Sequence, residues 1–271
     1  MTFGSLFAGI GGLDLGLERA GMECLWQVEI NDYATQVLER HWPGVRRHRD
    51  VRTFPPAGDW SVDLICGGFP CQDISYAGRG AGLEGERSGL FFEAIRVVRQ
   101  LRPRYVLLEN VAALLTRGLD RVHGELATLG YSSESHCIPA AAVGAPHIRD
   151  RVFVLAHAIG NGRRPRGSEC AGQQRKVASI STSGKMADAD EQGPQGRAGE
   201  ELPERAGQCV IGAGGSLARL REQCTHWVTE PDVGRVAHGV PKRVDRLKCL
   251  GNAVVPQVAE FIGRELIRRI P

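Results

Sequence analysis

The 271-residue sequence contains no apolar run of about 18 residues, so nothing in it reads as a membrane-spanning helix. Its first residues, MTFGSLFAGIGG, lack a basic leader and carry too short an apolar stretch for a secretory signal. A cytoplasmic protein is therefore expected. No Cys-x-x-Cys pair occurs among the eight cysteines, and Cys209, Cys224 and His226 fit no common zinc spacing. No metal site is expected, and the cysteines read as reduced and mostly buried thiols. Charge of one sign is also scarce. The net charge of +3 does not by itself imply a nucleic-acid partner. Basic residues do gather in the tail, at Arg235, Lys242, Arg243, Arg246, Lys248, Arg264, Arg268 and Arg269. They suit phosphate contacts or a solvated helical face equally well.

What is present is an ordinary globular composition, 42% hydrophobic and 24% charged, long enough for a sizeable core. Over residues 1–156 strand-like and helix-like segments alternate. FGSLFAG, ECLWQVEI, VDLICGG, RYVLLEN and RDRVFVLA read as strands. LDLGLERAG, DYATQVLERHW, LFFEAIRVVRQL and LDRVHGELATLG read as helices, the second capped by Asn31 or Asp32. This alternation predicts an α/β fold with a parallel sheet covered on both faces.

Residues 157–240 differ in character. They are rich in Gly, Arg, Ser, Gln and Glu, and LAHAIGNGRRPRGSE is imperfectly echoed by MADADEQGPQGRAGE. Such a segment buries little, so a loop-rich or partly disordered region is expected there. Residues 241–271 close the chain with VPQVAEFIGRELIRRI, which places Val258, Phe261, Ile262 and Leu266 on one helical face.

Four places carry chemistry. After the first strand, Phe7-Ala8-Gly9-Ile10-Gly11-Gly12 is either a tight turn or a loop that lets a ligand approach the backbone. Asp14 stands where a nicotinamide-dinucleotide fingerprint needs its third glycine, which argues against that cofactor. Glu29 ends the second strand, where a carboxylate can accept ribose hydroxyls, and Asp50-Val51 could meet an adenine amino group. Together they describe a nucleoside pocket across the carboxyl ends of the strands. The third strand runs into CGGFPCQDIS, offering Cys71 as nucleophile, metal ligand or packed thiol. Glu109 ends RYVLLEN, and Arg149 and Arg151 fall on one side of an extended HIRDRVF, suited to an anionic or carbonyl-rich partner.

These motifs, in this order, resemble the cytosine-C5 DNA methyltransferases over residues 4–156 and 241–263. FAGIGG is similar to that family's methyl-donor loop, GGFPCQDIS to its catalytic loop, ENV to its glutamate motif, RDRVF to its arginine pair and GNAVVPQVAEFIG to its final motif. The GGFPCQ and ENV motifs, about 40 residues apart, are the most specific part of the match. The resemblance implies a Rossmann-like S-adenosylmethionine-dependent methyltransferase sheet flanked by helices, with a small irregular target-recognition region in residues 157–240. It implies S-adenosyl-L-methionine as cofactor, held by Phe7, Ala8, Gly9, Gly11, Gly12, Glu29, Ile30, Asp50, Val51, Gly68, Pro70, Leu90, Asn252 and Ala253.

By the same resemblance, Cys71 is the nucleophile toward cytosine C6, Glu109 acts at N3, and Arg151 with Arg149 holds O2. Gln72, Ser75, Arg79 and Arg87 belong to a glycine-rich loop that closes on double-stranded DNA after the cytosine flips out. Residue chemistry agrees, since only a cysteine thiolate is a strong nucleophile and a dry carboxyl with a raised pKa can donate a proton. Three positions depart from the family pattern: His147 replaces a Gln, Gly85 an Asp, and Ile30 a Trp. The absence of an Asn/Asp-Pro-Pro-aromatic motif argues against amino-methylation. An RNA cytosine methyltransferase and a decayed DNA-binding relic stay open as alternatives. So does the choice between a solitary enzyme and one paired with a cognate restriction endonuclease; a monomer is the default.

Overall fold

The structure is a computed structural model that describes residues 1–70, 89–160 and 241–269. The segment expected to recognise the target falls almost wholly outside them, as do Cys71, Gln72, Ser75, Arg79 and Arg87. The order is β1 (Thr2–Leu6), α1 (Gly12–Arg19), β2 (Glu23–Val28), α2 (Asp32–His41), β3 (Arg46–His48), β4 (Leu64–Gly68), α3 (Leu90–Leu101), β5 (Tyr105–Val111), α4 (Leu114–Arg117), α5 (Leu119–Thr128), β6 (Tyr131–Pro139) and β7 (Asp150–Ala158). Two helices close it, here α6 (Arg243–Asn252) and α7 (Pro256–Arg268).

Seven strands form one sheet in the order β3-β2-β1-β4-β5-β7-β6. β1 to β5 pair in parallel, as the alternation of strands and helices predicts. β7 departs from that expectation: it runs antiparallel to both β5 and β6. The reason lies in the connection. Residues 140–149 hold only a short helical turn, Ala140–Val143, and a link that short cannot make the crossover a parallel neighbour requires. β7 folds straight back and wedges between β5 and β6.

β1, β4 and β5 are buried along nearly their whole length, so they read as continuous apolar runs. Helices cover both faces. One face packs β4, β5 and β7 side chains against Phe91, Ile95 and Val98 of α3 and Val122 and Leu126 of α5. The other packs Phe3, Leu64 and Leu107 against Leu13 and Leu17 of α1 and Val258, Ile262 and Leu266 of α7. α2 starts at an Asn31 side chain that accepts a hydrogen bond from the Ala34 amide at 2.9 Å. α7 starts with Pro256, whose missing N–H costs nothing in the first turn. No helix among the described residues is long and apolar enough to cross a membrane.

Candidate active site

The carboxyl ends of β1, β2, β4 and β5 open on one cavity of about 590 Å³. At its first end the chain leaves β1 through a sharp turn, with Phe7, Gly9 and Gly11 all at positive φ (53°, 57° and 82°). Glu29 braces this turn. Its Oε2 accepts from the Gly9 amide at 2.8 Å and its Oε1 from the Asn31 amide at 2.7 Å. Each carboxylate oxygen keeps a further lone pair for a ligand hydroxyl. Phe7, Ala8, Gly9, Gly12, Glu29 and Ile30 line the cavity here, and Ile30 is 60% exposed, leaving its apolar face open. Gly11 is not on the wall; a Cβ there would strike the Trp42 ring at 2.5 Å. Asp14 is wholly buried behind the turn, where desolvation pushes its carboxyl up to about 6.

The side walls come from further along the chain. Asp50, Val51, Gly68, Pro70 and Leu90 all reach the cavity. Asp50 caps a short turn and pairs with the Arg52 guanidinium at 2.7 Å, and those hydrogen bonds hold its carboxyl below the usual range. Asn252 and Ala253, from the α6–α7 junction, supply the opposite wall. Their approach depends on Gly12, where a Cβ would lie 2.4 Å from the Val254 carbonyl oxygen. Lys248 and Cys249 of α6 also line the cavity. The sequence reading missed them, because the basic residues around them look like a solvated face.

At the other end stands Glu109. It is 7% exposed and paired across the sheet with Gly68. A Cβ at Gly68 would sit 2.7 Å from Glu109 Oε2, so the glycine makes room for the carboxyl. Arg151 donates its Nε to Glu109 Oε1 at 2.9 Å. Burial raises the Glu109 pKa from 4.5 to about 7, although Arg151 and Arg149 pull the other way. Asn110 ties the two strand ends together: its Nδ2 donates to the Phe69 carbonyl at 3.1 Å and its Oδ1 accepts from the Val111 amide at 2.8 Å. The chain segment that leads to Cys71 is thus fixed as far as Pro70.

Arg149 does not share the side of Arg151 as strand alternation suggests. β7 begins only at Asp150, and Arg149 sits at a φ of 44°, outside the extended region. Its guanidinium turns to the carbonyls of Gly251 and Ala253 instead.

The cavity therefore joins an acceptor carboxylate and an apolar wall at one end to a protonatable carboxyl and a guanidinium at the other. Glu29, with lone pairs to spare, and Ile30 suit a ribose and a flat base. A Cβ at Gly9 would meet nothing within 4 Å, so the backbone of the turn is open to close approach. These features fit a nucleoside-bearing cofactor such as S-adenosylmethionine.

Residues 1–196 match the family model described as C-5 cytosine-specific DNA methylase. The chain belongs to this family. It is 36% identical over 159 residues to the type II methyltransferase M.Eco47II of Escherichia coli, covering 56% of this chain and 38% of that protein. It is 33% identical to the type II methyltransferase M.HhaI of Haemophilus parahaemolyticus, covering 57% and 48%. The match thus spans about half or less of these relatives' own length. Among solved structures, a putative DNA modification methyltransferase encoded within a prophage of E. coli matches with a TM-score of 0.50 and 27% identity, over 58% of this chain and 47% of that one. The sheet is the Rossmann-like sheet of such methyltransferases.

Proposed function

We propose that the protein is a DNA (cytosine-5-)-methyltransferase that acts on a cytosine flipped out of a specific duplex site. The observation that carries this reading is Glu109: a buried carboxyl, its pKa raised by burial to about 7, held against Arg151 at one end of a cavity whose other end suits a nucleoside. Bound S-adenosylmethionine supplies the methyl group, and Phe7, Gly9, Glu29, Ile30, Val51 and Asn252 hold it.

Cytosine C5 is too electron-poor to accept a methyl group unaided. The Cys71 thiolate adds to C6, and the electron pair of the C5–C6 bond moves toward N3 and C5. Protonated Glu109 donates to N3 and receives the developing charge, which is why a raised pKa serves it. Arg151 donates to cytosine O2 while keeping the Glu109 carboxyl in place. C5, made enamine-like by this addition, takes the methyl group. A base then removes the C5 proton, the Cys71 thiolate leaves C6, and N3 returns its proton to the Glu109 carboxylate, which restores aromaticity. Stacking covers both faces of C6 in a duplex, so flipping must precede addition. Gln72, Ser75, Arg79 and Arg87 contact the DNA around the flipped base. A cytoplasmic setting keeps Cys71 reduced for this role. The type II names of the relatives favour a fixed target sequence and a cognate endonuclease.

The test uses duplex DNA containing 5-fluorocytosine. Fluorine cannot leave as a proton does, so the Cys71–C6 bond should persist as a denaturant-stable protein–DNA adduct that needs S-adenosylmethionine. Cys71→Ser should give none. A wild-type protein that binds the cofactor and the DNA yet forms no adduct would overturn the mechanism.

A further inference from the structure

We infer that Arg149 is a positioning residue that fixes the α6–α7 turn as a wall of the donor pocket, rather than a group that touches the cytosine. The inference rests on the donor-pocket reading above. α6 differs from its neighbour α7 in its packing. It has no buried residue at all, whereas α7 buries Val258, Ala259, Ile262, Gly263 and Leu266. Val244, Leu247 and Leu250 of α6 are 75%, 46% and 53% exposed. Yet Lys248, Cys249 and Asn252 of this helix, and Ala253 just after it, line the cavity. A helix with so little apolar anchorage must be held in place by polar contacts.

Those contacts lie at its two ends. At the start, Lys242 donates to Gln36 at 2.9 Å and lies over the Tyr33 ring, while Arg246 reaches the Tyr33 hydroxyl at 3.2 Å. At the finish, one Arg149 nitrogen, Nη2, donates to Gly251 O at 2.7 Å and Ala253 O at 2.6 Å. The two carbonyls flank Asn252. A single charged group thus clamps the backbone on both sides of the residue that faces the donor.

The backbone of Arg149 is consistent with a dedicated role. Its φ of 44° is one that side-chain-bearing residues rarely adopt. That twist takes the side chain off the line set by Arg151 and aims it at the turn. Arg149 immediately precedes the strand that carries Arg151, so the clamp connects the strand at the acid end of the cavity to the wall at the donor end.

Isothermal titration of S-adenosylhomocysteine into the full chain, without DNA, tests this. Arg149→Met should weaken binding about tenfold or more, the loss of charge-assisted hydrogen bonds to two carbonyls. Arg149→Lys, with donors and charge retained, should recover most of the affinity. At saturating donor the kcat of Arg149→Met should stay within a few-fold of wild type, while the KM for the donor rises. Arg149→Gln serves if the Met variant does not fold, with amides of residues 250–254 expected to exchange faster in the free protein. Unchanged affinity in Arg149→Met or Arg149→Gln would overturn the proposal, as would a fall in kcat at saturating donor with unchanged affinity. Failure of the wild type to bind S-adenosylhomocysteine would instead remove the donor-pocket reading on which the inference stands.

Discussion

Replacing Glu109 by Gln should make the protein inactive and, at alkaline pH, relatively more stable. The carboxyl holds its proton up to about 7 in the folded protein, against an ordinary 4.5. Between those values the folded state binds more protons than the unfolded chain. The Glu109 contribution to wild-type stability must therefore fall as pH rises through that window. Each pH unit inside it costs the folded state about 1.4 kcal/mol, so the whole window is worth about 3 kcal/mol. Gln cannot ionise, and other titrating groups, Asp14 among them, are common to both proteins. The stability difference between Glu109→Gln and wild type should thus move by about 2–3 kcal/mol in favour of Gln from pH 5 to pH 9. Whatever Gln costs by leaving Arg151 without its carboxylate enters as an offset independent of pH. Urea unfolding across that range, with S-adenosylhomocysteine binding as a check on the fold, gives the answer. Parallel stability curves for the two proteins would refute a raised Glu109 pKa, and with it the case for Glu109 as a proton donor at N3.

Other substitutions probe the cavity's construction. Gly68→Ala puts a Cβ against Glu109 Oε2, the movable end of a side chain. The protein should fold and bind donor while turnover falls by more than about tenfold, read by methyl transfer and titration. Gly12→Ala meets backbone at Val254, which cannot yield so easily. It should cost about 1–3 kcal/mol by urea unfolding and weaken donor binding as well. Asn31→Ala removes the cap of α2 and should cost about 1 kcal/mol with little effect on kcat.

The hydrophobic pattern made the inner strands and the helices that cover them legible. Leu13 and Leu17 of α1, and Val258, Ile262 and Leu266 of α7, are buried as their spacing predicts. Edge elements were not legible. β6, with the sequence YSSESHCIP, buries only Tyr131, so it carries no apolar alternation to detect. The antiparallel course of β7 depends on the length of a connection, and its side-chain pattern is that of any buried strand. Within the site, Glu29, Glu109 and Arg151 could be placed because each ends or begins a strand at the carboxyl edge of the sheet. Gly11 and Arg149 could not. The course of the turn at Gly11 and the direction of the Arg149 side chain each follow from local backbone angles, and a positive φ at a residue such as Arg149 leaves no mark in composition or periodicity. α6 went unseen because polar contacts, rather than an apolar face, hold it.

The most direct test of the central claim is to incubate the purified chain with S-adenosylmethionine and mixed-sequence duplex DNA and map 5-methylcytosine by bisulfite sequencing. Cys71→Ser serves as the control, and a parallel reaction offers RNA. The account predicts methylation of cytosine in one short, fixed DNA context, absent with Cys71→Ser. Methylation of RNA alone, or no methylation by a protein that binds both cofactor and DNA, would contradict it.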